Sequence, residues 1–210
     1  FIEPPPPIGT GETYNTGKPV GTKDVTTGKT IEKAPTGNKV SFYGKGNASL
    51  TDAIREYVEI RAPRTNTQPV TISGWTVKSA VTGKSATIGN GVYTLIAGRV
   101  NPEQTISLLP GGRAFITTGR SPKGYSFRLN VCTGYFEEFQ DFSPWLPLNC
   151  PYPKNENLPF GLSDACMKYI EKIGRCEAQV KPLPLSFSND PLCQEYTGAN
   201  INYGACVDTH

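Results

Sequence analysis

Six cysteines are the residues of this sequence best suited to covalent chemistry. They all lie in the region 131–210, at Cys132, Cys150, Cys166, Cys176, Cys193 and Cys206. No two of them form a Cys-x-x-Cys pair and the only histidine is His210, so the ligand set of a zinc site is missing. An even number of cysteines confined to one region predicts three disulfides, formed in an oxidising compartment. We therefore expect structural staples, with neither a metal nor a cofactor.

The pairing of these cysteines is only partly constrained by their spacing, since six cysteines allow fifteen connectivities. Cys166 and Cys176 flank a predicted helix, whose rise of about 15 Å over ten residues exceeds the roughly 7 Å that a disulfide tolerates between Cα atoms. Cys132–Cys150 is the favoured single pair, because it closes a short, proline-containing loop around Trp145. The remaining pairings stay open.

Three acidic residues form the one cluster that could carry acid–base chemistry. Glu137, Glu138 and Asp141 stand beside aromatic residues and could supply the carboxylate pair of a glycoside hydrolase. The same spacing fits the solvent-facing side of a short helix, and we favour that interpretation. Nucleophilic sites of the Ser-His-Asp or Cys-His type need an internal histidine, which the sequence lacks. We therefore expect no enzyme activity.

Two Gly-Lys-Ser/Thr triplets resemble the end of a phosphate-binding loop. They occur at residues 28–30 and 83–85. The loop also needs a glycine five positions before the second glycine, where this sequence has Lys23 and Lys78. Nucleotide binding is therefore not expected.

Composition places the chain among proteins with a modest core and many turns. Hydrophobic residues make up 37% and charged residues 19%, with 22 glycines and 19 prolines. The net charge of +3 comes from lysines and arginines spread along the chain, so no nucleic-acid partner is expected. The sequence contains no run of 18 apolar residues, so no transmembrane segment is predicted.

Residues 1–40 have the composition of an extended arm. A polyproline run favours polyproline II geometry, and the rest is rich in Gly, Thr and Lys. Such a segment has no core of its own, so another surface must order it. The open edge of another copy's sheet is suitable, and the alternative is that the arm folds back on its own domain. The residues that we assign to this assembly arm are Pro4, Pro5, Pro6, Pro7, Thr22, Val25, Thr27 and Ile31.

Residues 41–130 have the pattern of short antiparallel strands. Residues 56–61 alternate polar and apolar, and residues 69–77 form a second strand segment. The sequence Gly89-Asn90-Gly91 predicts a tight hairpin between residues 87–88 and 92–96. A further turn is predicted at residues 110–112. Strands of this length with turns at short spacing favour an antiparallel sandwich or barrel.

Two of these strands also carry a family resemblance. Glu56-Tyr57-Val58-Glu59-Ile60, followed by Pro69-Val70-Thr71-Ile72-Ser73-Gly74-Trp75-Thr76-Val77, resembles the lamin-tail domain, and the later Leu108-Leu109-Pro110-Gly111-Gly112 resembles its Leu-x-Pro-Gly turn. The match covers about residues 50–120. It implies an Ig-like antiparallel β-sandwich. Its core anchors would be Trp75, Tyr57 and Ile72.

The sequence departs from the lamin-tail pattern after residue 130. The closing strands of the family are not found, and the cysteine-rich region 131–210 takes their place. This arrangement resembles secreted bacterial lamin-tail proteins with a cysteine-rich insertion. A sandwich that lacks strands could be completed by an arm from another copy.

Short helices are predicted in the cysteine-rich region. Ser163-Asp164 caps one that ends near Gly174, and Asp190-Pro191 starts another that ends near Gly198. The spacing of Tyr135, Phe139 and Phe142 predicts a third short helix with a buried aromatic stripe.

These features favour a non-enzymatic structural protein, extracellular or on the cell surface of a bacterium. It would be a filament or appendage subunit that binds other copies of itself through the arm. The alternative is a glycan- or DNA-binding adhesion module of a larger surface protein, which predicts exposed aromatic residues around Trp145 or a basic patch. An enzyme would instead need a deep pocket at Glu137, Glu138 and Asp141.

Overall fold

The computed structural model describes residues 22–23, 30–31, 39–46, 52–96, 100–179, 184, 187 and 189–210. Over these residues short strands come first and helices follow. The strands are β1 (Thr22–Lys23), β2 (Thr30–Ile31), β3 (Ser41–Gly46), β4 (Tyr57–Arg61), β5 (Val70–Thr71), β6 (Thr76–Lys78), β7 (Ser85–Thr87), β8 (Gly91–Val92), β9 (Glu103–Gln104), β10 (Ser107–Leu108) and β11 (Arg113–Thr117). The α-helices are α1 (Asp164–Ile170), α2 (Pro191–Asn200) and α3 (Tyr203–Thr209), and three 3-10 helices span Ala53–Arg55, Thr133–Glu138 and Pro153–Asn155.

The largest sheet has three antiparallel strands in the order β11-β4-β3. Alternation along β4 sends Val58 and Ile60 to one face, where Ile116 and Ala114 of β11 lie opposite them. Ile60 and Ala114 are buried, so this face is the inner one. The strand predicted at residues 56–61 is therefore confirmed as β4, with Val58 and Ile60 on its inner face.

The inner face of this sheet packs against a second, two-stranded sheet of β5 and β10. One cluster contains the buried residues of both layers: Ile60, Ala62, Val70, Ile72, Ile106, Leu108 and Ala114. Separate two-stranded sheets form from β6 with β7 and from β8 with β9. The expectation of an antiparallel β fold is met in this coarser form, as several small open sheets around a core.

The proposed core anchors occupy different positions. Ile72 is 1% exposed, and Trp75 is half-buried and packs against the same cluster. Tyr57 points to the opposite, outer face of β4, where its ring meets Phe115 edge-on at 5.6 Å between centroids. Tyr57 therefore does not contribute to the core between the two sheets.

The predicted hairpin around Asn90 is wrong. Residues 85–87 form β7, which pairs with the preceding strand β6. Gly91 and Val92 form β8, which pairs with the later strand β9. The Gly89-Asn90-Gly91 segment thus connects two different sheets. Ser73 and Trp75 decide this outcome, since the Trp75 carbonyl and the Ser73 hydroxyl already bond the residues at 88 and 89.

The cysteine-rich region is held by three disulfides, which confirms that prediction. They are Cys132–Cys206, Cys150–Cys176 and Cys166–Cys193, with Cα separations of 5.8, 5.1 and 5.8 Å. The favoured Cys132–Cys150 pair is wrong. The chain between Cys132 and Cys150 does not close on itself, because α3 returns to cover Cys132 while the segment after α1 brings Cys176 to Cys150.

The helices of this region follow their capping residues. Ser163 caps α1 and Asp190 caps α2, as predicted, and α2 ends two residues beyond Gly198. A third helix, α3, was not predicted; Asn202 caps it through the amide of Ala205. The aromatic stripe forms a 3-10 helix at Thr133–Glu138 instead of an α-helix, and Phe139 is 52% exposed.

A third cluster joins the strand region to the cysteine-rich region. Its buried residues are Val92, Phe127, Phe136, Phe142 and Leu146. Phe127 meets both Phe136 and Phe142 edge-on, and residues 127–128 are bonded along β8. The two regions therefore share a packed boundary.

Much of the predicted arm lies outside the described residues. Within it, β1 pairs antiparallel with β2, which places Thr22 opposite Ile31. The polyproline run at residues 4–7, Val25 and Thr27 lie outside the described residues.

Candidate functional site

The inner face of the three-stranded sheet is uncovered at β3. Phe42 lies opposite Ile60 and so shares its inner face. Ile60 is 4% exposed, whereas Phe42 is 72% exposed. Among the described residues, β3 pairs only with β4, so its other side is an open edge. The second layer thus covers β4 and β11 and leaves Phe42 of β3 uncovered. We call Phe42 and the open side of β3 (Ser41–Gly46) the β3 edge.

The other side of β3 is occupied by charged and aromatic side chains. A β-bulge between Phe42 and Gly44 inserts Tyr43, and the guanidinium of Arg61 lies 3.1 Å from the centroid of the Tyr43 ring. Arg61 also donates from Nε to Glu59 Oε1 at 2.6 Å. The side chains on the outer face of β3 and β4 therefore contact one another, whereas Phe42 on the inner face is uncovered.

A cleft of about 570 Å³ lies between the strand region and the cysteine-rich region. Its walls come from five segments of the chain. The lining residues are Tyr93, Thr94, Arg113, Arg128, Leu129, Asn130, Val131, Cys132, Pro147, Asn149, Val207 and His210. Its volume falls within the roughly 300–1,000 Å³ that is usual for small-molecule sites. The disulfide Cys132–Cys206 fixes α3 as one wall.

The charged lining of this cleft is basic. Arg113 is the first residue of β11, and Arg128 is held beside Tyr93 because its amide donates to the Val92 carbonyl at 2.9 Å. The Arg128 guanidinium lies 5.1 Å from the centroid of the Tyr93 ring. Among the described residues that line the cleft none is acidic. Glu156, which is not a lining residue, has its Oε1 atom 3.1 Å from Nε2 of His210.

Trp145 is 81% exposed and lies two residues before Pro147 in the sequence. Its neighbours fix the backbone on both sides, since Phe142 and Leu146 are 1% and 3% exposed and the Leu146 amide donates to Glu137. Pro147 lines the cleft, and two residues span at most about 7 Å. An indole on a backbone held in this way offers a flat apolar face to solvent.

The two glutamates of the acidic cluster bond to separate segments of the chain. Glu137 accepts from the Leu146 amide, and Glu138 accepts from the Ala178 amide, while Asp141 is exposed. Burial raises the pKa of Glu137, and the nearby Asp141 charge raises it further, against the effect of the two amides that bond it. Both glutamates thus tie separate segments together, which is more than the solvent-facing role expected for them.

Three residues that could ligate a metal lie close together: Cys166, Asp190 and Cys193. Their contacts are those of a structural unit. The two sulfurs are bonded to each other. Asp190 Oδ1 accepts from the Cys193 amide at 3.0 Å, and its Oδ2 accepts from the Ser163 hydroxyl at 2.6 Å. Each sulfur and carboxylate oxygen that could coordinate a metal therefore already has a bonding partner.

The β3 edge and the basic cleft were not found from sequence. Phe42 looked like an ordinary strand residue, and only the partner sheet shows that it is uncovered. Arg113 and Arg128 come together through contacts between distant segments, which no local pattern signals. The exposure of Trp145, by contrast, agrees with the exposed aromatic residues that the binding-module alternative predicts around it.

A scan against known protein families, a search of curated proteins and a search of solved structures give no match to this chain. Among the described residues, none of the helices has both the length and the apolar character needed to cross a membrane. The three intramolecular disulfides indicate an oxidising, extracellular type of environment.

Proposed function

We propose that this protein is a non-enzymatic structural subunit, extracellular or on the cell surface. Its strand region would be an Ig-like β-sandwich of lamin-tail type, and its N-terminal arm would join it to other copies. The motif at residues 56–60 and 69–77 supports the family, and the disulfides support the location. The structural use of Glu137 and Glu138 supports the absence of catalysis.

The uncovered Phe42 at the β3 edge is the observation that carries this proposal. A strand added along β3 would bond the open backbone groups and bring alternate side chains over the Phe42 ring. Full burial of a phenylalanine side chain contributes roughly 1.5–3 kcal/mol, so repeated along an assembly it would favour association. The occupant that we propose is the arm of a neighbouring copy, with one strand of its antiparallel β1–β2 pair added along β3.

Removal of the arm tests the assembly directly. We expect the full chain, purified without reductant, to form filaments or large oligomers, and a chain that lacks residues 1–38 to stay monomeric. Val40 remains in this variant because it packs against the core. Light scattering and electron microscopy measure both. If both chains are monomers of the same compact shape, the assembly proposal is wrong.

A substitution at the edge separates loss of the arm from loss of its binding site. We expect Phe42→Lys to abolish assembly, because a charge at the edge opposes strand addition. Val81→Lys is the matched control, since Val81 is 94% exposed in the turn between β6 and β7. Equal assembly of the two variants would contradict the assigned edge. A monomer that loses compactness on truncation would mean that the arm pairs within its own chain.

A glycan-binding adhesion module is the second candidate function. The exposed and rigidly held Trp145 favours it, because a flat indole face can stack on a sugar ring. This function predicts a monomer with saturable oligosaccharide binding that Trp145→Ala weakens, which calorimetry would measure.

A further inference from the structure

The basic cleft has the chemistry of an anion site. Two of its lining residues, Arg113 and Arg128, are permanently charged, and Asn130 and Asn149 add neutral donors and acceptors. Arg128 is half-buried, so part of its charge lies in a medium of lower dielectric than water. Guanidinium groups bind carboxylate and sulfate oxygens through paired, charge-assisted hydrogen bonds.

The cleft also offers a surface for the apolar face of a ligand. Tyr93 forms part of the lining, and Trp145 lies within about 7 Å of Pro147 along the backbone. A ligand that fills the cleft and reaches Trp145 therefore needs both an anionic group and a flat, weakly polar face. Acidic sugars combine these two properties in every unit.

We propose that the cleft binds an acidic oligosaccharide. Arg113 and Arg128 would hold the carboxylate or sulfate of one unit, and the next unit would stack on Trp145. This proposal rests on the second candidate function and specifies its ligand class. A nucleic acid fits less well, because the net charge of +3 and two arginines provide little of the extended basic surface that a phosphate backbone requires.

Calorimetric titration of the full chain with two tetrasaccharides of the same linkage tests the ligand class. We expect tetragalacturonic acid to bind and the neutral maltotetraose to bind at least about tenfold more weakly, since hydrogen bonds to charged groups contribute roughly 1.5–3 kcal/mol. Binding of the acidic sugar should weaken between about 20 and 200 mM NaCl, because salt screens partly exposed charges.

Three substitutions locate the site. We expect Arg128→Gln to weaken tetragalacturonate binding about tenfold or more. Trp145→Ala should weaken it roughly three- to tenfold, and it removes a side chain that the core does not use. Arg120→Gln is the matched control, since Arg120 is exposed and does not line the cleft.

The outcomes separate this proposal from the function on which it depends. Equal binding of both tetrasaccharides, sensitive to Trp145→Ala, would support a glycan module and overturn the acidic ligand. Binding of neither sugar would overturn both. Competition by inorganic sulfate at the same concentration would mean that the cleft takes a free anion, and selective binding of an oligothymidylate would mean a nucleic-acid site; either result overturns the proposal.

Discussion

At the scale of single residues, the two N-caps of the cysteine-rich region form one connected unit. Ser163 accepts from the Cys166 amide at 3.1 Å, and Asp190 accepts from the Cys193 amide at 3.0 Å. The cysteines that receive these caps are bonded to each other, and the Ser163 hydroxyl donates to Asp190. The spacing from cap to cysteine is the same in both helices, so one arrangement aligns the two helix starts.

The carboxylate of Asp190 makes this unit sensitive to acid. The hydrogen bond from Ser163 and the one from the Cys193 amide lower the pKa of Asp190 below its ordinary value. A group whose pKa is lowered by folding stabilises the native state above its unfolded pKa, and this contribution is lost as the pH falls through the folded pKa. The affected range is therefore below about pH 4.

We expect Asp190→Asn to remove this pH dependence while keeping the cap, because Asn and Asp are comparable N-caps. The stability advantage of the wild type over the variant should be largest near neutral pH and should shrink below about pH 4. Urea unfolding at a series of pH values, without reductant, measures the difference. A difference that stays constant with pH would show that Asp190 does not contribute through its charge.

At the scale of elements, the turn between β10 and β11 decides how the two layers connect. Pro110 and Gly111 are its central residues, and the Gly112 amide donates to the Leu109 carbonyl at 2.7 Å. Gly111 has a φ of +82°, the left-handed value that the second central residue of a type II turn requires. The turn is docked on buried Ala62 through hydrogen bonds to both Gly111 and Gly112. It carries the chain from the second layer to the three-stranded sheet.

We expect Gly111→Ala to destabilise the fold by about 1–2 kcal/mol, since a Cβ is unfavourable at this backbone conformation and would crowd Arg64. Gly198→Ala is the matched control. Gly198 lies within α2 with open space around it, so alanine there should stabilise by about 0.5–1 kcal/mol. Chemical denaturation measures both; changes of the same sign in the two variants would contradict the assigned turn.

At the scale of the whole molecule, the disulfides differ in how much chain they constrain. Cys132–Cys206 joins residues 74 apart in sequence, and Cys166–Cys193 joins residues 27 apart. The longer bridge holds α3 against the start of the 3-10 helix at Thr133–Glu138, next to the cluster in which Tyr203 packs on Phe136 at 4.2 Å between ring centroids. It therefore supports the boundary that also forms the cleft.

Loss of the long bridge should cost more stability than loss of the short one. The chain-entropy model gives about 4–5 kcal/mol for the Cys132→Ala, Cys206→Ala double variant and about 3–4 kcal/mol for Cys166→Ala, Cys193→Ala. The four side chains are at most 8% exposed, so the two variants leave comparable apolar cavities. Unfolding in urea measures the two costs, and the reverse order would mean that native-state strain outweighs loop entropy.

Features that depend on neighbouring residues were predictable from the sequence. The caps at Ser163 and Asp190 and the strand β4 follow from spacings of a few residues, where backbone geometry fixes the relation between side chains. The presence of disulfides follows from an even number of cysteines confined to one region. The partner of Cys132 did not follow, because it lies 74 residues away. Nor did the strand partners of residues 87 and 92, because Trp75 competes with the local hairpin.

Both candidate sites belong to this second group of features. Phe42 is uncovered because β5 and β10 form only a narrow second layer, and Arg113 and Arg128 line one cleft because segments far apart in the sequence form its walls. The sequence by itself determined a region of short strands, the starts of α1 and α2 and the presence of disulfides, through residue type and local geometry. Only the tertiary structure decided which surfaces stay open, because exposure depends on the packing of all the segments at once.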